Sequence, residues 1–431
     1  MTEDRVPLYE SVADRITRLI RQGTYRPGDR VPSVRRLSVQ FGVSITTVLE
    51  AYRLLEDRGV LEARPQSGYY VRPAFPGAPD EPETVQSHGG PTPVLMGDLA
   101  VQVLRDMGNP ALLQLGAALP HPDRLPLDKL SRTLAAAVRE DPGSGSGYEL
   151  PPGYEPLRIQ IARRLVAAGC VLAPSDIMIT AGCQEAIYLC LKAVCRPGDT
   201  VAIESPIFYG ILQAIESLGL QALEIPTHLR DGIRLDALAD AIERNAVKAC
   251  VVVSNFNNPL GSRIPDAAKK ALVEMLAAKN IPLIEDDNYG DLGFESARPI
   301  VAKSLDTTGN VLLCASFTKT LAPGYRIGWV AAGRYRKEVE RLKIACNLAT
   351  AMPTQLALAS YLATGGYDHH LRRSRRIYAQ QTALMAQTIG ECFPAGTRVT
   401  RPGGGFVLWV ELPAPVDSIE LYRQATAAGI T

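Results

Sequence analysis

Apolar positions near the start of the chain recur at helical spacing. In "LYESVADRITRLIRQG" Val12, Ile16, Leu19 and Ile20 share one face, and Gly23 ends the run. "VPSVRRLSVQFG" predicts a second helix, with Ser33 as its N-cap, Leu37 and Phe41 pointing inward one turn apart, and Gly42 as its stop. "VSITTVLEAYRLLEDRG" predicts a third, with Ser44 as cap, Val48, Tyr52 and Leu55 facing a core, and Gly59 at its end. The last two helices are separated only by "GVS", which is helix-turn-helix spacing. "VLEARPQ" and "YYVRP", joined through Ser67 and Gly68, then read as a strand-turn-strand wing.

The pattern breaks at "FPGAPDEPETVQSHGGPTP", which is dense in Pro and Gly and has no periodicity. It predicts a flexible linker over 74–97, separating a head of residues 1–73 from a body of residues 98–431. In the body short apolar runs alternate with helical periods: "TVAIE", "ACVVVSN", "IPLIEDD", "VLLCASF" and "IGWVAAG". Near-continuous apolar strands alternating with helices predict a mostly parallel sheet covered on both faces. The large domain is expected to run to about residue 340, with a partial small domain after it.

Charge sharpens the division. Residues 1–73 hold twelve arginines, no lysine and nine acids, a net of +3, whereas 74–97 hold three acids and no Lys or Arg. A basic head on a helix-turn-helix points to double-stranded DNA. Eight cysteines without a C-x-x-C pair, and only five histidines, argue against a disulfide framework and a zinc site, and for a reducing cytoplasm. No apolar run reaches membrane-span length, and "MTEDRVPLYE" lacks the plan of a signal peptide, so no membrane association is expected.

The chemistry lies just past the strand ends, where ligands gather in such sheets. "ITAGCQEAI" turns into a helix start that aims the amides near Gly182, Cys183 and Gln184 at an anion. "ESPIFYG" offers Phe208 as a flat face, and "SNFNNPLG" delivers Asn258. "LIEDDNYGD" delivers Asp286 and Tyr289, and "SFTKTLAPGYRIGW" delivers Ser316, Lys319 and Arg326. Each fragment alone has an ordinary structural explanation as turn, cap or core. Together they fit a planar pyridine aldehyde phosphate, which needs an amine, an acid for its ring nitrogen, donors for its phenolic oxygen and a cup for its phosphate.

The body resembles the fold-type I aminotransferases from about Leu99 to its end, and the resemblance implies an α/β fold and pyridoxal 5'-phosphate as cofactor. It implies Lys319 as the lysine that carries the cofactor and Asp286 as the partner of the pyridinium. Asn258 and Tyr289 would meet the phenolic oxygen and Phe208 would stack on the ring. Ser316, Arg326 and the turn at Gly182, Cys183 and Gln184 would hold the phosphate, and Tyr148 of "GYELPPGYEPLR" would reach the phosphate of a partner subunit in a homodimer. The head is similar to the GntR-type winged helix-turn-helix over "YRPGDRVPSVRRLSVQFGVSITTVLEAYRLLEDRGVLEARPQSGYYV". That likeness implies DNA contacts by Arg35 and Arg36, by Ser44, Ile45, Thr46 and Thr47, and by Arg64, Gln66, Ser67 and Gly68. Where the family commonly has arginine after the capping serine this chain has Ile45, which cannot bond a guanine edge but can pack on a thymine methyl.

A GntR-like head, a linker and an aminotransferase-like body together resemble the MocR/GabR family of bacterial regulators. The function implied is transcriptional regulation with the cofactor, an amino compound or both as signal. The alternative is a working aminotransferase, converting an amino acid and a 2-oxo acid, with an accessory DNA-binding head. A body that serves only as a scaffold is disfavoured by the intact lysine, aspartate and arginine set. One element of the family pattern is missing: the arginine that binds a substrate carboxylate belongs to a strand after "AAGIT". Arg398, Arg401 and Arg423 lie in the wrong context to replace it, and a truncated small domain is expected, the alternative being one that is incomplete by nature.

Overall fold

Helix α1, Leu8–Arg21, buries Val12, Ala13 and Ile16 against α2, Val34–Phe41, and α3, Ile45–Asp57, whose Leu37, Val48, Ala51, Tyr52 and Leu55 complete one small core. The computed structural model to which these helices belong describes residues 7–25, 29–57, 60–64, 68–71, 79–82, 89–116, 118–295 and 297–431. The expected helix stop at Gly59 lies outside the described residues. Gly42 closes α2 in the left-handed region at φ 66°, which glycine adopts without a Cβ penalty. Strands β1, Leu61–Arg64, and β2, Gly68–Val71, pair antiparallel as the wing, and Arg30 bridges to Tyr70 beside them.

The chain divides into two units after Ala78. The second is built on a nine-stranded sheet. Its strands are β3 Thr92–Pro93, β4 Met178–Thr180, β5 Thr200–Ser205, β6 Gln221–His228, β7 Gly232–Ile233, β8 Val247–Val253, β9 Leu283–Asp286, β10 Val311–Ser316 and β11 Gly328–Ala331. The order is β3-β6-β5-β8-β9-β10-β11-β4, with β7 paired to β6. From β6 to β10 every pairing is parallel, while β11 runs antiparallel to both neighbours. β5 and β10 are buried at every position because helices cover both faces, which explains their unbroken apolar runs. Among the described residues no helix is long and apolar enough to cross a membrane.

The expected free linker over 74–97 needs correction where it is described. Thr92–Pro93 is an antiparallel edge strand on β6, a position where proline's missing N–H does no harm. Met96 N–H donates to Glu216 Oε1 at 3.1 Å. Further back, Pro82 is buried, Asp80 O accepts Val399 N–H at 2.9 Å, Arg401 donates to Pro79 O at 3.2 Å, and Glu81 pairs with Arg230. Composition read this stretch as loose because its partners are far away in sequence.

The last part of the chain carries the long helix Gly366–Cys392, the strand pair β12, Arg398–Val399, with β13, Val410–Glu411, and the helix Ser418–Ala427 capped by Asp417. Ile430 then forms a parallel bridge to Leu113. Arg398 lies 3.6 Å from Glu411, and Arg423 lies 3.5 Å from Glu420.

Candidate functional site

Two acids end β9 and a third follows directly, and the alternation of sides along the strand decides where each of them points. Glu285 turns to Ser254 and to the amides of Ala302 and Lys303, and Asp287 turns to Asn255 and Arg298 on the same side. Asp286 points the other way. It accepts from the amide of Asn288 at 3.0 Å, and the Cys183 thiol lies 3.7 Å from the same oxygen. Burial pushes its carboxyl up to about 7, against the lowering pull of the Asn288 amide.

Lys319 follows β10 in a turn where Phe317 O receives Thr320, Leu321 and Ala322. Its Nζ donates to Ala118 O at 2.6 Å and stands 5.9 Å from the Tyr289 ring centroid. Burial pulls the amine down to about 8, opposed by the nearby Asp286 charge and assisted by Arg326. Tyr289 is buried with a hydroxyl that has no hydrogen-bond partner among the described residues, and desolvation raises its pKa. An unpartnered buried hydroxyl is costly unless something else bonds it, so a ligand oxygen fits this position. Asn258 lies close enough to that hydroxyl to lower its pKa against burial, but makes no bond of normal geometry to it.

The anion cup forms where β4 passes through Gly182 into the helix Cys183–Val194. Gly182 sits at φ 99°, and a Cβ there would collide with the Arg326 guanidinium. The first amides of that helix, at Cys183 and Gln184, therefore meet Arg326 at one spot, where dipole and charge both favour an anion. Arg326 bonds Ala181 O at 3.0 Å and Thr318 Oγ1 at 3.3 Å, and its own backbone is left-handed at φ 51°. Strained non-glycine backbone of this kind persists where a side chain must be aimed. Ser316 Oγ donates to Asn288 Oδ1 at 2.7 Å and receives the Thr318 amide at 3.3 Å. Phe208 caps the helix Tyr209–Ser217, its ring tilted against Tyr209 at 4.6 Å between centroids. The donor set and the unpartnered hydroxyl fit pyridoxal phosphate.

The structure therefore brings Lys319, Asp286, Tyr289, Asn258, Ser316, Arg326 and the Gly182–Gln184 turn to consecutive strand ends. Tyr148 is 80% exposed. Sequence reasoning missed Asn288, which links Asp286 to Ser316, and Thr318, which holds Arg326. Both sit within two residues of residues already singled out, and that adjacency was the available signal.

In the head, Arg35 and Arg36 are exposed on α2, and Ile45 is 53% exposed at the start of α3. Ser44 Oγ accepts the Thr47 amide at 3.1 Å and lies 2.8 Å from the hydroxyls of Thr46 and Thr47. Arg64 pairs with Gly68 through its backbone, while Gln66 and Ser67 lie outside the described residues. Arg30 was not anticipated: its guanidinium occupies the space where a Cβ at Gly68 would point, and adds charge at the wing.

Residues 122–430 match the family described as aminotransferase class I and II, and residues 8–71 match bacterial regulatory proteins, gntR family. YjiR of Escherichia coli (strain K12), described as an uncharacterized HTH-type transcriptional regulator, is 40% identical over 418 residues, 96% of this chain and 88% of its own length. YdcR of the same organism, described likewise, is 41% identical over 416 residues, with the same two shares. A solved structure of LysN, the alpha-aminoadipate aminotransferase of Thermus thermophilus, complexed with N-(5'-phosphopyridoxyl)-L-leucine, matches with a TM-score of 0.72. It is 27% identical, over 78% of this chain and 85% of that one.

Proposed function

The chain belongs to the aminotransferase class I and II family and carries a gntR-family domain at its head, and from that premise we propose how its regulatory function works. It is a transcriptional regulator of the MocR type that binds DNA through the head, holds pyridoxal 5'-phosphate at Lys319 and responds to an amino compound. When bound, the cofactor would supply a carbon that accepts amines and a ring that draws electrons from them. Lys319 would hold that carbon covalently, its amine pulled down to about 8 by burial, so that far more of it is the free base near neutral pH than for an ordinary lysine. Asp286 would hold the proton on the ring nitrogen, and Tyr289 with Asn258 would bond the phenolic oxygen. Arg326, Ser316 and the amides of Cys183 and Gln184 would take the phosphate, with Phe208 against the ring. The unpartnered Tyr289 hydroxyl beside Lys319 and Asp286 carries the reading, because a purely structural body has no use for it.

The proposal includes a homodimer, in which the exposed Tyr148 completes the partner's phosphate cup. It also gives the segment 79–82 a role. That segment joins the chain leading from the head to Val399 and Arg401 on one side and to Arg230 on the other. A shift of β12 against Arg230 would therefore be felt by the tether.

Absorbance of the purified protein, followed through titration with pyridoxal phosphate and then a panel of amines, tests the reading beside a DNA-binding assay. The regulator expects an amine-dependent band change together with a change in DNA affinity. Sustained turnover with a 2-oxo acid would favour the aminotransferase reading instead, and no visible band on adding cofactor would remove both.

In the head, Arg35→Ala is expected to weaken binding to all sequences alike and to lower the salt slope by about one, as loss of one phosphate contact does. Ile45→Arg should instead change the ranking among sites. Competition assays at several salt concentrations check both, and an unaltered ranking would place Ile45 outside the groove.

A further inference from the structure

We propose that Glu204 is a positioning residue for the cofactor's phenolic oxygen: its carboxyl, on β5, fixes the neighbouring turn that carries Asn258. The inference rests on the cofactor reading above. Glu204 is wholly buried near the end of β5, four residues before Phe208. β8 lies next to β5 in parallel register and runs into the turn that holds Asn258. One oxygen of Glu204, Oε2, accepts two bonds from that segment: Val253 N–H at 2.7 Å and Asn257 Nδ2 at 2.8 Å. The other oxygen, Oε1, is buried with no partner among the described residues.

Asn257 is the centre of its turn. Its amide donates to Ser262 O at 2.8 Å, its carbonyl accepts Gly261 N–H at 2.6 Å, and its Oδ1 receives Leu260 N–H at 3.4 Å. The residue before it, Phe256, is left-handed at φ 56°, a conformation that a bulky side chain holds only when its surroundings impose it. Among the described residues, Glu204 is thus the side chain that anchors Asn257 from outside the turn. Asn258, the next residue, has its backbone direction set by that anchor, and Phe208 hangs from the same strand. A single carboxyl therefore relates the residue expected beside the phenolic oxygen to the residue expected over the ring. Burial pushes the Glu204 carboxyl up to about 8, so its neutral form prevails at pH 7, and a glutamine oxygen can accept the same two bonds.

The test uses the full chain loaded with pyridoxal phosphate, and reads the pH midpoint of its visible band beside the melting temperature of the cofactor-free protein. Losing a donor to the phenolic oxygen leaves its negative charge less stabilised, so the chromophore's proton is held to higher pH. Asn258→Ala should raise the midpoint by about one unit, Glu204→Ala by at least half as much, and Glu204→Gln should stay near wild type. Glu204→Ala added to Asn258→Ala should raise it no further, because both act through one contact. Asn257→Ala keeps the carboxyl but removes the link, and should give the same displacement even if Glu204→Ala fails to fold. A lower melting temperature with an unmoved midpoint in Glu204→Ala and Asn257→Ala would make Glu204 merely structural and overturn the inference. If the wild type forms no band, or Asn258→Ala leaves the midpoint in place, the cofactor assignment itself falls and takes the inference with it.

Discussion

Lys319→Ala is expected to abolish covalent capture of pyridoxal phosphate, so that borohydride reduction leaves no pyridoxyl group on the protein, while the head continues to bind DNA. Among the described residues of the site, this amine is the group placed to form that bond: its Nζ lies within reach of Asp286's charge and 5.9 Å from the Tyr289 ring. Its pH dependence follows from burial. An ordinary lysine is the free amine in roughly one molecule in three thousand at pH 7, whereas a group pulled down to about 8 is free in roughly one in ten. Capture by wild type should therefore accelerate about tenfold per pH unit below 8 and level off above it. The sign for stability is opposite to that of a stabilised cation. A depressed lysine pKa means the folded state resists the proton, so this group's contribution is complete above the ordinary lysine pKa and is lost as pH falls through about 8. Lys319→Ala should hence be more stable than cofactor-free wild type below pH 8. Stopped-flow absorbance and melting curves over pH 6 to 10 check both, and an adduct still trapped in Lys319→Ala would mean that another group is the nucleophile.

The parts of the molecule that were legible in the sequence are those where local pattern and global fold agree. The buried strands announced themselves because a parallel sheet with two covered faces needs unbroken apolar runs, as in β5 and β10. The helix-turn-helix was legible through its caps, Ser33, Gly42 and Ser44, which act locally. Lys319 and Arg326 stand out in the sequence because they are polar residues in a loop whose other members, Phe317, Leu321, Ala322 and Ile327, are buried in the core. What stayed hidden depends on contacts distant in sequence. Glu204 reads as an acid at a strand end, and only the pairing of β5 with β8 shows that it holds the turn at Asn257. The residues at 79–82 read as linker because Arg230, Val399 and Arg401, which hold them, lie far along the chain, the nearest of them 149 positions from its partner Glu81. The run "EDD" could not by itself tell which acid faces which side; the pairings of Glu285 and Asp287 occupy one face and leave Asp286 on the other.

Asp286 separates a site that works on its ligand from one that only holds it. Its carboxyl is buried, and desolvation raises it to about 7 despite the Asn288 amide and the Lys319 charge, so the cofactor-free protein keeps it largely protonated in mild acid and must bear a buried charge above neutrality. A raised carboxyl pKa contributes stability that is fully present below about pH 4 and lost as pH rises through about 7. The rise from 3.8 to about 7 corresponds to about 4 kcal/mol at the alkaline end, an upper figure because neighbours relax. Cofactor-free Asp286→Asn should therefore melt higher than wild type at pH 8, with the gap closing toward pH 4. Loaded with cofactor the order should reverse in function. A carboxylate beside a pyridine nitrogen favours the protonated ring by opposite charge, and the protonated ring is what draws electrons from a bound amine. Asp286→Asn and Asp286→Ala should retain the cofactor through Lys319 and the phosphate cup, yet slow any loss of a proton from the ligand by about a hundredfold or more. Stopped-flow spectra with the best amine, run beside DNA titrations, read the outcome. A regulator that needs only exchange of the amine on the cofactor keeps its DNA response in these variants, and one that needs the proton step loses it. Unchanged spectra, DNA response and alkaline stability in Asp286→Ala would reduce the residue to a strand end and place the ring nitrogen elsewhere.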